Sequence, residues 1–223
     1  MTTAVAIQKI LKSPLAQQHV AALTEKLIEE AKNRRAFYDW IDESTKAEFI
    51  NGEIIIHSPV RLEHWKVSDL LASLMSIYVR FKKIGNVGVE KVMISLTRND
   101  YEPDIVYFKK EKAANFTPEQ VLFPAPDFIV EILSKKTATI NKTIKKDDYA
   151  AHGVREYWII DPKKQIIEQY LLIGENDKIY FQPYIHKLGE NITSRVIEGF
   201  SIPVQSVFDD AVNIQTLEAL LRS

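Results

Sequence analysis

Glu131 is the one acid inside an otherwise apolar stretch, Phe128-Ile129-Val130-Glu131-Ile132-Leu133. A buried charge is costly unless it is paired or holds a metal, so this residue needs a partner: a lysine in an ion pair, or a cation. A second carboxylate, Asp104, stands at the start of another short apolar run, Asp104-Ile105-Val106-Tyr107-Phe108. Carboxylates on two neighbouring strands can share a divalent cation. Magnesium takes oxygen ligands and keeps several waters, so Asp104, Glu131 and the main-chain oxygen of Ile132 are a sufficient protein set. Asn141, Lys145 and Tyr149 follow at four-residue spacing and therefore lie along one face of a helix. With that face turned toward the Glu131 strand, Lys145 is placed to orient or deprotonate an attacking water and to stabilise charge developing on a phosphate.

The elements that must position these groups are legible in the same stretch. Side chains alternate across a strand, so Glu131 and Leu133 point one way and Val130 and Ile132 the other. Ser134 to Thr137 supplies N-cap candidates for a helix running to His152, where Gly153 stops it. Glu156-Tyr157-Trp158-Ile159-Ile160 reads as a central, doubly covered strand. Strand, helix and strand at this spacing make one crossover unit. Upstream, Ser13-Pro14 begins a helix with Val20, Leu23, Leu27 and Ala31 at helical spacing, an arm or cover. Asn51-Gly52 between two apolar runs calls for a tight hairpin over Ala47 to Ile56. Val67, Leu70, Leu71, Leu74, Tyr78 and Phe81 give an amphipathic helix from His64 to Ile84 that packs on a sheet, with Gly85 as its C-cap. Strands are expected at Val87 to Leu96 and Asp104 to Phe108, with a short helical or turn segment at Thr117 to Leu122. Beyond Pro162, Gln165 to Ile173, Lys178 to His186 and Asn191 to Ile197 read as an antiparallel meander, and Thr216 to Leu221 as a closing helix.

The totals exclude several classes. A chain of 223 residues, 46% hydrophobic and 26% charged, is expected to fold as one domain: an arm over 1–45, a core over 46–208 and a C-terminal remainder. No apolar run approaches the roughly 20 residues needed to span a bilayer, so no membrane role is expected. The first residues lack a secretory pattern, which makes the cytoplasm the default location. Zero cysteines exclude disulfides and thiolate chemistry, and five histidines without metal-ligand spacing speak against zinc. A net charge of -1 means that any nucleic-acid contact relies on local patches. Lys135, Lys136, Lys142, Lys145 and Lys146 form one and Lys109, Lys110 and Lys112 another; a solvated helix face or edge strand is the plainer reading of each.

The ordered pieces resemble the PD-(D/E)XK nuclease superfamily, and more closely its Uma-two branch of restriction-endonuclease-like proteins. The resemblance rests on Glu48-Phe49-Ile50-Asn51-Gly52-Glu53, His64, Pro103-Asp104, Pro126 to Ser134, Lys145 to Tyr149, and Gly153 to Pro162, and covers Ala47 to Phe208. It implies an α/β fold with a mixed central sheet flanked by helices, an N-terminal helical arm and a C-terminal antiparallel extension. It also implies a magnesium-dependent endonuclease acting on nucleic acid, DNA foremost, with manganese as an alternative cation and a homodimer as the assembly. Asp104 and Glu131 become metal ligands. The superfamily lysine two residues after the glutamate is replaced by Leu133, and in this branch its role passes to Lys145, with Lys135 or Lys136 as alternative bases. His64, Lys135, Lys136 and Tyr149 are the substrate-binding candidates, although His64 equally suits a helix cap and Tyr149 a core position. Glu48 is either a further catalytic carboxylate or an exposed hairpin charge. A non-catalytic nucleic-acid-binding protein that keeps the fold is the alternative reading.

Overall fold

The computed structural model describes residues 3–134 and 137–222. In chain order its elements are helices α1 (Thr3–Leu11) and α2 (Ala16–Trp40), strands β1 (Ala47–Ile50) and β2 (Glu53–Ile56), helix α3 (Leu62–Lys82), and strands β3 (Gly85–Val89), β4 (Met93–Ser95), β5 (Asp100–Tyr101) and β6 (Ile105–Lys109). There follow α4 (Lys110–Ala113), β7 (Leu122–Phe123), β8 (Phe128–Ile132), α5 (Ala138–Ile140), a π-helical turn (Asn141–Lys145) and α6 (Lys146–Ala151). Strands β9 (Glu156–Asp161), β10 (Ile166–Leu171), β11 (Tyr184–Lys187), β12 (Asn191–Thr193) and β13 (Ser201–Pro203) precede the last helix, α7 (Asp210–Arg222). No helix among the described residues is long and apolar enough to cross a membrane.

Contacts divide the chain into two units, residues 3–57 with 97–100, and residues 58–96 with 101–222. In the first, β1 and β2 form the expected hairpin, with Ile50 opposite Glu53 and only Asn51 and Gly52 between them. Both turn residues have positive φ, 53° and 90°, as a type I′ turn requires. The arm differs from its expectation. Ser13 lies in a turn ahead of α2 and its Oγ accepts the Leu15 N–H, so Pro14 does not occupy the first helical position. Val20, Leu23 and Leu27 are exposed, and α2 instead buries Glu30 and Phe37. Glu30 is held by Arg98 through two bonds of 2.8 Å, and Arg34 grips Asp100 at 2.6 and 2.7 Å.

The second unit is built on a six-stranded sheet of order β11-β10-β9-β8-β6-β3. Strands β8 and β9 are parallel and the other neighbours antiparallel, which makes the sheet mixed. One face carries Phe128, Val130, Ile132, Trp158 and Ile160 into a core shared with Leu71, Leu74, Met75 and Val79 of α3 and Leu220 of α7. The other face carries Ile129, Glu131, Tyr157 and Ile159, and the Tyr157 ring meets Tyr149 of α6 edge-on at 5.2 Å. Gly85 does not cap α3. Lys83 takes the left-handed conformation there, with φ 57°, while Gly85 opens β3. A Cβ on Gly85 would stand 2.2 Å from the Phe108 carbonyl oxygen, so close strand approach is what requires glycine.

The expected strand from Val87 to Leu96 is two, because Glu90 and Lys91 have φ of 46° and 48° and interrupt the extended backbone. Of the expected antiparallel meander, β10 and β11 pair as neighbours, the second covering only Tyr184–Lys187, but the third segment does not join them: β12 pairs with β13 in a separate two-stranded sheet. The closing helix begins six residues earlier than expected, at Asp210.

Candidate active site

Strand register brings the two carboxylates together. The β6–β8 ladder pairs Tyr107 with Phe128, Val106 with Ile129 and Ile105 with Val130. The next step along the same register sets Asp104 opposite Glu131. The Asp104 carbonyl accepts the Glu90 N–H at 3.0 Å, a bond donated from the positive-φ break between β3 and β4. Its carboxylate Oδ2 accepts the Ile132 N–H at 2.7 Å, taking the place of a ladder carbonyl where β6 has ended. N–H and C=O of one residue point to the same edge of an extended strand, so the Ile132 carbonyl also faces the Asp104 side. His64, in the first turn of α3, brings Nε2 to 3.3 Å from Asp104 Oδ2.

Glu131 receives the helix after β8. Lys145 Nζ donates to its Oε1 at 2.8 Å, the Tyr149 hydroxyl donates to the same oxygen at 3.0 Å, and Asn141 Nδ2 lies 3.4 Å from Oε2. The expectation that 141, 145 and 149 share a face is met through the π turn, which sequence periodicity did not reveal. In a regular α-helix each four-residue step overshoots a full turn by about 40°, so Asn141 and Tyr149 would diverge by about 80°. The wider π turn over Asn141–Lys145 reduces the rotation per residue and brings all three back onto Glu131.

These groups are withdrawn from solvent: Asp104 is 5% exposed, Glu131 4%, Lys145 2%, and Asn141 and Tyr149 0%. The Asn141 Oδ1 is buried without a hydrogen-bond partner. Tyr157, which donates to the Asn141 carbonyl at 3.2 Å, has its acidity suppressed far beyond the ordinary phenol, first by burial and then by the negative charges of Glu131 and Asp104. It therefore stays protonated and a donor. Lys145 Nζ also lies 5.6 Å from the centre of the Tyr101 ring, whose hydroxyl donates to Asp148 at 2.7 Å. Tyr101 was not singled out from the sequence; its place next to Glu102-Pro103-Asp104 was the available signal.

The remaining candidates are placed as follows. Glu48, in β1 of the first unit, is 1% exposed and its Oε2 stands 3.2 Å from His57 Nε2, so it is not an exposed hairpin charge. Lys135 and Lys136 lie outside the described residues. The lysines after them do not form one solvated face: Lys145 is buried on Glu131 and Lys142 pairs with Glu168. A cleft of about 540 Å³ lined by Arg155, Gln169, Tyr184, His186 and Arg195 includes none of Asp104, Glu131 or Lys145 in its wall.

Among the described residues no three histidine, aspartate or glutamate side chains gather into a metal-binding group. The register sets the Asp104 carboxylate opposite that of Glu131, with the Ile132 carbonyl toward the same edge. All are hard oxygens, a set that fits magnesium or manganese and not a softer metal.

No curated protein matches the chain in sequence. Among solved structures, the chain is similar to one titled as a putative nuclease belonging to DUF820 from Anabaena variabilis ATCC 29413. The two share 17% identity over 79% of this chain and 96% of that one, with a TM-score of 0.67, so the chain has that nuclease's fold. The type IIG restriction endonuclease BpuSI aligns at 14% identity and a TM-score of 0.38, over 75% of this chain and 18% of that one. The Uma2 family, whose description reads "Putative restriction endonuclease", matches residues 34–205. That match spans well over half of the 223 residues, and the chain belongs to the Uma2 family.

Proposed function

We propose that the protein is a divalent-cation-dependent endonuclease that hydrolyses phosphodiester bonds in DNA, with magnesium as its working ion. The observation that carries this reading is the register that opposes Asp104 to Glu131 while Lys145 reaches Glu131 from the following helix. Asp104, Glu131 and the Ile132 carbonyl would hold the cation. Its charge would draw electron density from a phosphate oxygen and favour the negative charge that builds up during hydrolysis.

The chain's own residues do the rest. Lys145 is a buried ammonium donor, suited to hold a water or a phosphate oxygen beside Glu131. Tyr149 shares its acceptor and fixes the carboxylate's rotation. His64, with Nε2 at 3.3 Å from Asp104 Oδ2, would contact substrate or tune that carboxylate. Glu48, Lys135 and Lys136 remain proposed contributors to catalysis or substrate binding. A two-fold dimer would present two such sites to the two strands of a duplex.

The test is cleavage of supercoiled, linear and single-stranded DNA, and of RNA, with magnesium, manganese or chelator. Glu131→Ala and Asp104→Ala are run beside the unaltered protein. Cleavage that needs the cation and disappears in both variants is the expected result. Full activity in either variant overturns the assignment.

A second reading has one observation in its favour: the chain's own donors already surround Glu131, as in a purely structural ion pair. A non-catalytic nucleic-acid-binding protein with this fold would bind DNA with steep salt dependence and never cut it.

A further inference from the structure

Lys145 is 2% exposed, and an ammonium buried to that degree needs compensation at every stage of its work. Glu131 provides it at 2.8 Å, yet the nuclease reading, on which this inference rests, also asks the same carboxylate to hold a cation. We infer that Tyr101 is a positioning residue whose aromatic face keeps the Lys145 ammonium in place when Glu131 is drawn to another ligand.

The geometry supports this in three ways. The ammonium lies 5.6 Å from the ring centre, inside the range of cation–π attraction, and the ring is fully buried, where that attraction is strongest. The ring cannot turn away, because its hydroxyl donates to Asp148 Oδ2 at 2.7 Å and Tyr149 abuts it edge-on at 5.3 Å. Asp148 is itself fixed by His152, whose Nδ1 is 3.0 Å from Oδ1. A phenol that donates to a carboxylate also gains electron density on its ring, which strengthens the hold on a cation. Tyr101 thus offers Lys145 an acceptor that a metal does not compete for.

The test uses the full-length protein labelled with 13C-lysine. A methylene group above a ring is shielded by its current, so the Lys145 Cε protons are expected upfield, assigned by their loss in Lys145→Arg. The shift is expected to persist in Glu131→Gln and Tyr101→Phe and to vanish in Tyr101→Leu. In cleavage assays Tyr101→Leu is expected to lower kcat about tenfold with KM within about twofold, while Tyr101→Phe, which keeps the ring but loses its bond to Asp148, lowers kcat by less. Loss of the shift in Glu131→Gln overturns the inference, as does an unchanged kcat in Tyr101→Leu. If Tyr101→Leu fails to fold, the Glu131→Gln spectrum decides. If the unaltered protein cleaves nothing, the nuclease reading falls, and the spectra alone decide whether Tyr101 holds the ammonium.

Discussion

Lys145 and Glu131 form a buried ion pair, 2.8 Å from Nζ to Oε1, between side chains that are 2% and 5% exposed. Removing one partner from such a pair strands the other charge, whereas replacing both with apolar groups does not. Lys145→Met is therefore expected to destabilise the protein by about 3–5 kcal/mol, and Lys145→Met with Glu131→Leu by much less. Urea denaturation of the two single variants and the double variant measures this. On the proposed chemistry Lys145→Met also lowers cleavage by about 100- to 1,000-fold, a loss that the double variant does not recover.

Asp104→Asn separates structure from chemistry. The carboxamide oxygen can still accept the Ile132 N–H that Asp104 Oδ2 now takes at 2.7 Å, so stability is expected to change by no more than about 1 kcal/mol. The negative charge, however, is gone. Magnesium binding followed by titration calorimetry, and cleavage with it, should disappear; a variant that binds the ion as before would remove Asp104 from the ligand set.

Glu156 is a second lone acid in an apolar strand, with a different fate. Its Oε1 accepts from Trp158 and Gln169, each at 2.7 Å, and its Oε2 from Ser194 Oγ at 2.7 Å, Arg195 N at 2.8 Å and Val196 N at 3.0 Å. Burial raises its pKa against those donors, which lower it. Glu156→Gln keeps the shape but turns an N–H toward donors on one side, and is expected to cost about 2–3 kcal/mol by urea denaturation. Because Glu156 shares the face of Trp158 and not that of Tyr157, cleavage at saturating cation should be unchanged.

Two titrating groups give the stability curve distinct windows. Burial depresses the His186 pKa below its ordinary 6.5. Between the folded value and 6.5 the unfolded chain binds more protons, so stability falls as pH drops through that window and is level above it. Glu30 is lowered from 4.5, chiefly by its hydrogen bonds from Arg98. Its contribution is present above 4.5 and is lost only as pH falls through the folded value. Urea midpoints of the unaltered protein and His186→Gln, taken from about pH 4 to pH 8, should converge toward the acid end of the His186 window. Equal spacing of the two midpoints at every pH would argue against a depressed His186.

The sequence made the centre of the second unit legible because its signals are local. An acid in an apolar run, a proline before Asp104 and a four-residue repeat in the next helix pointed to Asp104, Glu131, Lys145 and Tyr149 before any fold was known. The same lone-acid argument applied to Glu156 would have suggested a second metal site, and there the partners are protein donors; which outcome holds depends on loops distant in sequence. The π turn left no trace because each four-residue step, from Asn141 to Lys145 and from Lys145 to Tyr149, is within about 40° of a full helical turn and reads as ordinary α-helical spacing. Val20, Leu23 and Leu27 have the pattern of a buried stripe but are exposed in the described chain, since periodicity reports an apolar face and not what covers it. Tyr101 was missed because its contacts, with residues 145, 148 and 149, cross the whole crossover unit.

The register that sets Asp104 across from Glu131 also fixes where the chain can change length. The two carboxylates are related only through the paired segments, so the connection between β6 and β8 is free of the alignment. Extra residues between the exposed Pro118 and Glu119 would lengthen a loop and leave both acids facing each other. One residue added between Ile105 and Lys109 would instead rotate every following side chain of that strand to the opposite face. A reporter peptide or affinity tag therefore belongs in the first place, and in the second a single added residue is expected to abolish the proposed cleavage with Asp104 and Glu131 both still in the chain.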